Sequence, residues 1–225
     1  MAHSNRILST KVLLPHQLKA LTDAGLEVVA YDFIQVEAKQ FDLNGIKDNL
    51  IFTSQNAVQS FFTHPQFQAL QSELIEKKVF CVGMKSKNSL TEAGFDVVAY
   101  TDYASDLAEI ITLVYANERY TFFSGNLRKA TLPDALTEAG IEFNELEVYE
   151  TQLNSHKTKG PFDALLFFSP SGVESYLKEN KIKKEVCFCI GETTAEALVQ
   201  ITKNCIVAEH PSIEAVLEDV LAEYN

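Results

Sequence analysis

No stretch of this 225-residue sequence approaches the roughly 20 apolar residues that a membrane-spanning helix needs. The longest apolar run lies within DALLFFS, Asp163 to Ser169, and no basic-then-apolar leader opens the chain. The expectation is a soluble, cytoplasmic protein with no membrane partner. Cysteine is scarce: Cys81, Cys187, Cys189 and Cys205 all fall inside strand-like apolar runs, which reads as core thiols. Cys187 and Cys189, two apart, would share one face of a strand. No Cys-x-x-Cys occurs, and His3, His16, His64, His156 and His210 are scattered singly, so neither a metal nor a disulfide is expected. Basic residues are outnumbered, with a net charge of −12, which argues against nucleic acid because phosphate contacts dominate that affinity. Missing too are a Gly-x-Gly-x-x-Gly after a strand and a Walker loop, which disfavours a nucleotide-dependent oxidoreductase.

What is present begins with 46% hydrophobic residues, ample for one large core or two small ones. Charge is unevenly spread. Lys77 to Leu90 carries four lysines and no acid, Arg119 to Leu132 carries three bases and no acid, and Ala208 to Tyr224 carries five acids and no Lys or Arg. Basic loops on an acidic body suit a small anion.

The segment LTDAGLEVVAY at Leu21 returns as LTEAGFDVVAY at Leu90 and LTEAGIEFNEL at Leu136, with Gly25, Gly94 and Gly140 in the same place. Gly suits the left-handed turn that ends a helix, and the β-rich run after it reads as the next strand. Ten strands follow from this pattern: 6–10, 27–31, 50–53, 79–83, 96–100, 120–124, 143–149, 164–169, 186–191 and 205–209. Helical segments fill nearly every gap. Such alternation predicts an α/β fold with doubly wound, flavodoxin-like or Rossmann-like parallel sheets.

A second repeat divides the strands. In IFTSQNAVQSFF and LFFSPSGVESYL, Phe52, Ser54, Val58 and Ser60 recur as Phe167, Ser169, Val173 and Ser175. Five strands on each side of this symmetry require residues 1–33 and 154–225 to form one discontinuous domain and 41–146 an inserted one. The connecting segments 34–40 and 147–153 contain alternating β-formers and predict a two-stranded β-ladder as hinge.

In open parallel sheets, ligands sit beyond the carboxyl ends of the strands, where helix N-termini offer unpaired N–H groups. The polar joints belong there: Thr53, Ser54, Gln55 and Asn56; Ser86 after Gly83; Ser124, Gly125, Asn126 and Arg128; Ser169, Ser171 and Gly172; Thr193 and Thr194 after Gly191; Pro211 and Ser212. Any one of them could be a plain helix cap. Six on the same sheet edges predict a cleft lined with anion-binding donors.

Taken in order, IFTSQNAVQSFF, LPDALTEAGIEFNELEVYET, LLFFSPSGVESYL, CIGETTAEAL and VAEHPSIEAVLEDV resemble the uroporphyrinogen-III synthase family across nearly the whole chain. The resemblance implies two α/β domains, a cleft between them, no metal or organic cofactor, and hydroxymethylbilane as substrate. That linear tetrapyrrole bears eight carboxylates; it loses its terminal hydroxyl as water, inverts ring D through a spiro intermediate and closes. The resemblance assigns Tyr149 to help the hydroxyl leave and matches Thr193 and Thr194 to the family's Thr pair. Ser86 replaces a family Thr, and Ser124 stands where bacterial relatives often carry Arg. The simplest expected state is a monomer, and the competing reading is a non-catalytic two-domain module that closes on a small polyanion.

Overall fold

The computed structural model describes residues 4–224, so residues 1–3 and 225 of the expected discontinuous domain, His3 among them, lie outside the described residues. In chain order the elements are β1 (Arg6–Ser9), α1 (Pro15–Asp23), β2 (Glu27–Ala30), β3 (Ile34–Ala38), β4 (Asn49–Phe52), α2 (Gln55–Phe62) and α3 (Phe67–Leu74). Then come β5 (Lys78–Val82), α4 (Met84–Glu92), β6 (Asp96–Thr101), α5 (Ala104–Val114), β7 (Tyr120–Gly125), α6 (Thr131–Glu138) and β8 (Phe143–Leu153). The chain ends with β9 (Ala164–Phe167), α7 (Pro170–Glu179), β10 (Val186–Cys189), α8 (Glu192–Glu196), β11 (Cys205–Val207) and α9 (Ile213–Tyr224). No helix among the described residues is long and apolar enough to cross a membrane.

The thrice-repeated glycine does one job three times. Gly25, Gly94 and Gly140 take φ of 80°, 92° and 69°, which a side chain would resist. Their N–H groups donate to Thr22, Thr91 and Thr137, and the next residues, Leu26, Phe95 and Ile141, donate to Leu21, Leu90 and Leu136 at 3.2, 3.0 and 2.9 Å. Each pair of bonds closes a helix in the Schellman manner and aims the chain into the following strand. In each joint the two apolar residues so linked are buried.

Contacts divide the chain into two compact units, Met1–Gln35 with Gln152–Asn225, and Val36–Thr151. The discontinuous unit holds a five-stranded sheet ordered β2-β1-β9-β10-β11, with every pairing parallel. Alternation along these strands supplies two cores. Ile7, Leu166 and Phe188 pack on one face, and Leu8, Leu165, Phe167, Cys187 and Cys189 on the other.

The continuous unit holds a six-stranded sheet ordered β3-β8-β7-β4-β5-β6. Phe52, Cys81 and Phe123 face one core, and Ile51, Phe80 and Phe122 face the second. The expected connecting strands are present in altered form. Strand β8 runs unbroken from Phe143 to Leu153, absorbing the 147–153 segment, and β3 lies beside it as the outer edge of this sheet. The alternating β-formers of these segments had an open sheet edge within reach, and pairing satisfies their backbone groups.

Each sheet reverses its winding once, between β1 and β9 in the first unit and between β4 and β7 in the second. Those switch points place the Ser169 and Ser54 joints at the positions where open α/β sheets take ligands.

Candidate functional site

In the continuous unit three of the expected site residues meet. Ser54 caps α2, its Oγ accepting the Asn56 N–H at 3.1 Å. Strand β7 separates β4 from β8 and ends at Gly125. A register shift between Ser124 and Gly125 sets Gly125 opposite Tyr149. The Tyr149 ring then lies across the bare glycine: a Cβ on Gly125 would fall 2.3 Å from Cζ and 2.5 Å from Cε2. On its far side the ring packs against the core that includes Phe52 and Val58, the residues flanking the Ser54 joint. Burial pushes the phenol above its ordinary pKa, while the nearby Ser54 hydroxyl works in the other direction. Tyr149 is therefore a protonated donor at neutral pH.

Around this trio Gln55 and Asn56 are exposed and Thr53 is half-buried. The next loop is more committed. Asn126 imitates a strand, accepting the Thr151 N–H at 2.8 Å and donating Nδ2 to the Thr151 carbonyl at 3.1 Å. Arg128 meets Glu145 at two points, 2.7 and 2.9 Å. Burial alone would raise the Glu145 pKa, but the hydrogen bonds from Arg128 and Ser124 outweigh it and hold the carboxylate below its usual range.

The other cations of the basic loops are also engaged. Arg119 pairs with Asp48 at 2.6 Å, Lys78 lies 3.5 Å from Glu118, Lys77 donates to the Lys47 carbonyl, and Lys87 sits over the Tyr100 ring at 3.9 Å. Local positive charge is thus largely answered within the protein. Neutral donors are what the joints offer.

The discontinuous unit repeats the arrangement without a tyrosine. Ser169 caps α7, accepting the Gly172 N–H at 3.0 Å and lying 3.0 Å from the Ser171 hydroxyl. Thr10, at the end of β1, donates to the Leu166 carbonyl at 2.7 Å. A Cβ on Gly172 would sit 3.3 Å from Ser169 Oγ and 3.5 Å from Thr10 Oγ1, so glycine lets the three segments close together. Thr10 and the exposed Lys11 beside it escape sequence reading. The signal was faint: a lone Thr-Lys ahead of the apolar VLLP, where the other joints show clusters of small polar residues.

The remaining joints lie one or two strands from the switch points. Ser86 is buried at 2% exposure, and Thr194 at 1% packs inward while Thr193 is half-buried. Their hydroxyls therefore differ in reach, although the sequence shows them alike. Ser212 caps α9 by accepting the Ala215 N–H at 3.0 Å, and Pro211 is exposed just before it.

Comparison with known proteins identifies relatives of the chain as a whole. A family model described as Uroporphyrinogen-III synthase HemD matches residues 17–218. The porphyrin biosynthesis protein HemD of Ruminiclostridium josui is 24% identical over 91% of this chain, which spans 45% of that protein's length. The uroporphyrinogen-III synthase of Chlorobaculum parvum is 26% identical over 76% of this chain and 79% of its own. Among solved structures, the uroporphyrinogen-III synthetase of Helicobacter pylori 26695 superposes with a TM-score of 0.70 at 22% identity, covering 97% of this chain and 99% of its own. A mutant uroporphyrinogen III synthase from the extremely thermophilic bacterium Thermus thermophilus gives 0.70 at 18% identity, over 98% of both chains. The structural likeness speaks for the two-unit α/β fold, while the family match spans nearly all the elements described above. The chain belongs to the uroporphyrinogen-III synthase family.

Proposed function

We propose that this chain cyclises hydroxymethylbilane to uroporphyrinogen III, with inversion of ring D and loss of one water. The observation that carries the reading is the Tyr149 phenol, laid over Gly125 at the carboxyl edge of a family member's sheet and kept protonated by burial. The reaction breaks the carbon–oxygen bond of the bilane's terminal hydroxymethyl group. Its hydroxyl leaves more readily when a donor hydrogen-bonds to the departing oxygen. Tyr149 supplies that donor. The proton balance closes on solvent, since water departs and the ring carbon that forms the last bond releases a proton.

The rest of the work is conformational. The bilane can also close without inversion, so selectivity comes from holding one folded form. Many neutral donors suit an octacarboxylate whose arms point in all directions. We assign that role to the joints at Thr53, Gln55 and Asn56, at Ser169 and Ser171, at Thr193 and at Pro211–Ser212, with Lys11 as a cation beside Thr10. A single chain carries all of these groups, and a monomer suffices. The direct test is turnover of hydroxymethylbilane by the purified chain with the product isomer identified. Formation of the III isomer faster than the spontaneous I isomer is expected; the I isomer alone, at the uncatalysed rate, would overturn the reading.

A further inference from the structure

Residues alternate between the two faces of a strand, so the phase of the count decides which core a side chain meets. Along β8 that phase changes once. Phe143 packs against the core of Ile51, Phe80 and Phe122, while Leu146 and Val148 pack against that of Phe52 and Phe123, so an unbroken count would return Tyr149 to the Phe143 face. It packs with Leu146 and Val148 instead. The cause is the register shift: β7 and β8 pair residue for residue up to Ser124 and Glu147, then Gly125 meets Tyr149 and Val148 is passed over. This is a bulge, which bends a strand and re-aims the side chain that follows.

The bulge competes with the regular register, in which Val148 would face Gly125 and the phenol would swing to the opposite face of the sheet. Asn126 opposes that slip. Its N–H donates to the Tyr149 carbonyl at 3.4 Å, its Oδ1 accepts the Thr151 N–H at 2.8 Å, and its Nδ2 donates to the Thr151 carbonyl at 3.1 Å. Beyond it the chain turns back, with the Arg128 N–H donating to the Gly125 carbonyl at 3.1 Å. The Asn126 side chain therefore supplies both the acceptor and the donor that the backbone of β7 no longer offers to Thr151. On the other edge of β8, the passed-over Val148 is held as well, its carbonyl accepting the Lys39 N–H at 2.9 Å. We infer that Asn126 is a positioning residue for Tyr149: its hydrogen bonds to Tyr149 and Thr151 lock the bulge at Val148 and so keep the phenol over Gly125. Although the residue is exposed, both polar ends of its side chain are taken up by Thr151. It acts through the tyrosine and does not itself touch the bilane.

The inference rests on the donor role proposed for Tyr149, and the test separates the two. Protein labelled with fluorotyrosine gives a fluorine NMR line for Tyr149, assigned by its loss in Tyr149→Phe. In Asn126→Ala that line should split or broaden as the two registers exchange, while the other tyrosine lines hold. Steady-state kinetics with hydroxymethylbilane should show kcat lower by about fivefold, the worth of one ordinary hydrogen bond to the register equilibrium, with KM unchanged and a larger share of the I isomer. In the Tyr149→Phe background, Asn126→Ala should lower kcat no further, whereas a purely structural loss would cost the same in both backgrounds. A Tyr149 line left single and sharp, an equal loss of kcat in both backgrounds, or a raised KM at unchanged kcat would overturn the inference, the last making Asn126 a direct substrate contact. Wild-type turnover by Tyr149→Phe would instead overturn the donor role, and the fluorine line would still decide whether Asn126 holds the ring.

Discussion

Arg128 and Glu145 are joined by two parallel hydrogen bonds, Nε to Oε1 at 2.7 Å and a terminal nitrogen to Oε2 at 2.9 Å, so the guanidinium meets its carboxylate in the fork geometry that suits it best. A cation held this way is poorly placed to bind an incoming carboxylate. Arg128→Ala should therefore lower stability, by about 1 kcal/mol for a pair at the margin of the surface, and leave KM almost unchanged. The pH dependence carries a sign. Glu145 titrates below its ordinary value when folded, so its stabilisation is present above the unfolded value of about 4.3 and is lost as pH falls through the lower folded value. Urea midpoints measured from pH 7 to pH 3 should show a flatter acid limb in Arg128→Ala. A large rise in KM with unaltered stability would mean that the arginine releases Glu145 to hold substrate.

Tyr149→Phe removes a donor and nothing else. Turnover should fall on the order of 10²-fold, the lower range of general-acid assistance, with product affinity little changed. Slower catalysis gives spontaneous closure more time, so the fraction of I isomer should rise, as chromatography of the oxidised products would show. A variant that matches the wild type in rate and isomer ratio would make Tyr149 a packing residue.

Gly125→Ala places a methyl group within 2.3 Å of the Tyr149 ring, far inside contact distance, and the ring must swing away. Overpacking of this kind costs about 1–3 kcal/mol, and the phenol would be displaced from its place beside β7. We expect lower thermal stability together with activity no better than that of Tyr149→Phe. Truncation to Tyr149→Ala should relieve the crowding, so Gly125→Ala added to that background should cost little further stability. If the double variant loses as much as the sum of the two single ones, the clash is elsewhere.

The thiols give a prediction at alkaline pH. Cys187 and Cys205 sit opposite each other in paired strands. Burial pushes Cys189 up to about 12 and Cys81 to about 11, and it also raises Cys187, with Cys205 and Cys189 beside it adding to the effect. Unfolded thiols ionise near pH 8.5, so the folded chain binds more protons above that point and stability should decline as pH climbs from about 8.5 towards 10. Urea midpoints across that range, with Cys187→Ala as the flatter comparison, provide the check. Native thiols should react slowly with an aromatic disulfide reagent and quickly after unfolding; rapid reaction of Cys187 or Cys189 in the folded protein would contradict their burial.

Much of the architecture is legible in the residues because it is set by local chemistry. The Leu-x-x-x-Gly joints announce helix ends, since only glycine takes their φ cheaply, and the capping serines at 54 and 169 announce helix starts. What cannot be read locally is strand order. Nothing near Gly125 says that β7 will lie between β4 and β8, and without that order Ser54 and Tyr149 are just two polar residues 95 positions apart in the sequence. The Arg128–Glu145 pair is hidden for the same reason. The inward turn of Ser86 and Thr194 depends on which helix face meets the sheet, and short polar stretches such as MKSKNS leave that face undefined. Thr10 goes unnoticed because its partner, Gly172, follows it in the sequence only after the whole inserted unit.

That insertion sets the order in which the molecule can be completed. The Arg6 N–H at the start of β1 donates to the carboxylate of Asp163, 157 residues later, at 2.7 Å, and β1 pairs with β9 directly after it. On a ribosome adding about 5–20 residues each second, the first strands wait on the order of ten seconds for that partner. Every strand of the six-stranded sheet, β8 included since it ends at Leu153, will by then have emerged. The unit begun second is finished first. A chain stalled before Ala164 thus carries one nearly finished domain and a central strand, Ile7 and Leu8 included, with one of its two neighbours still unmade.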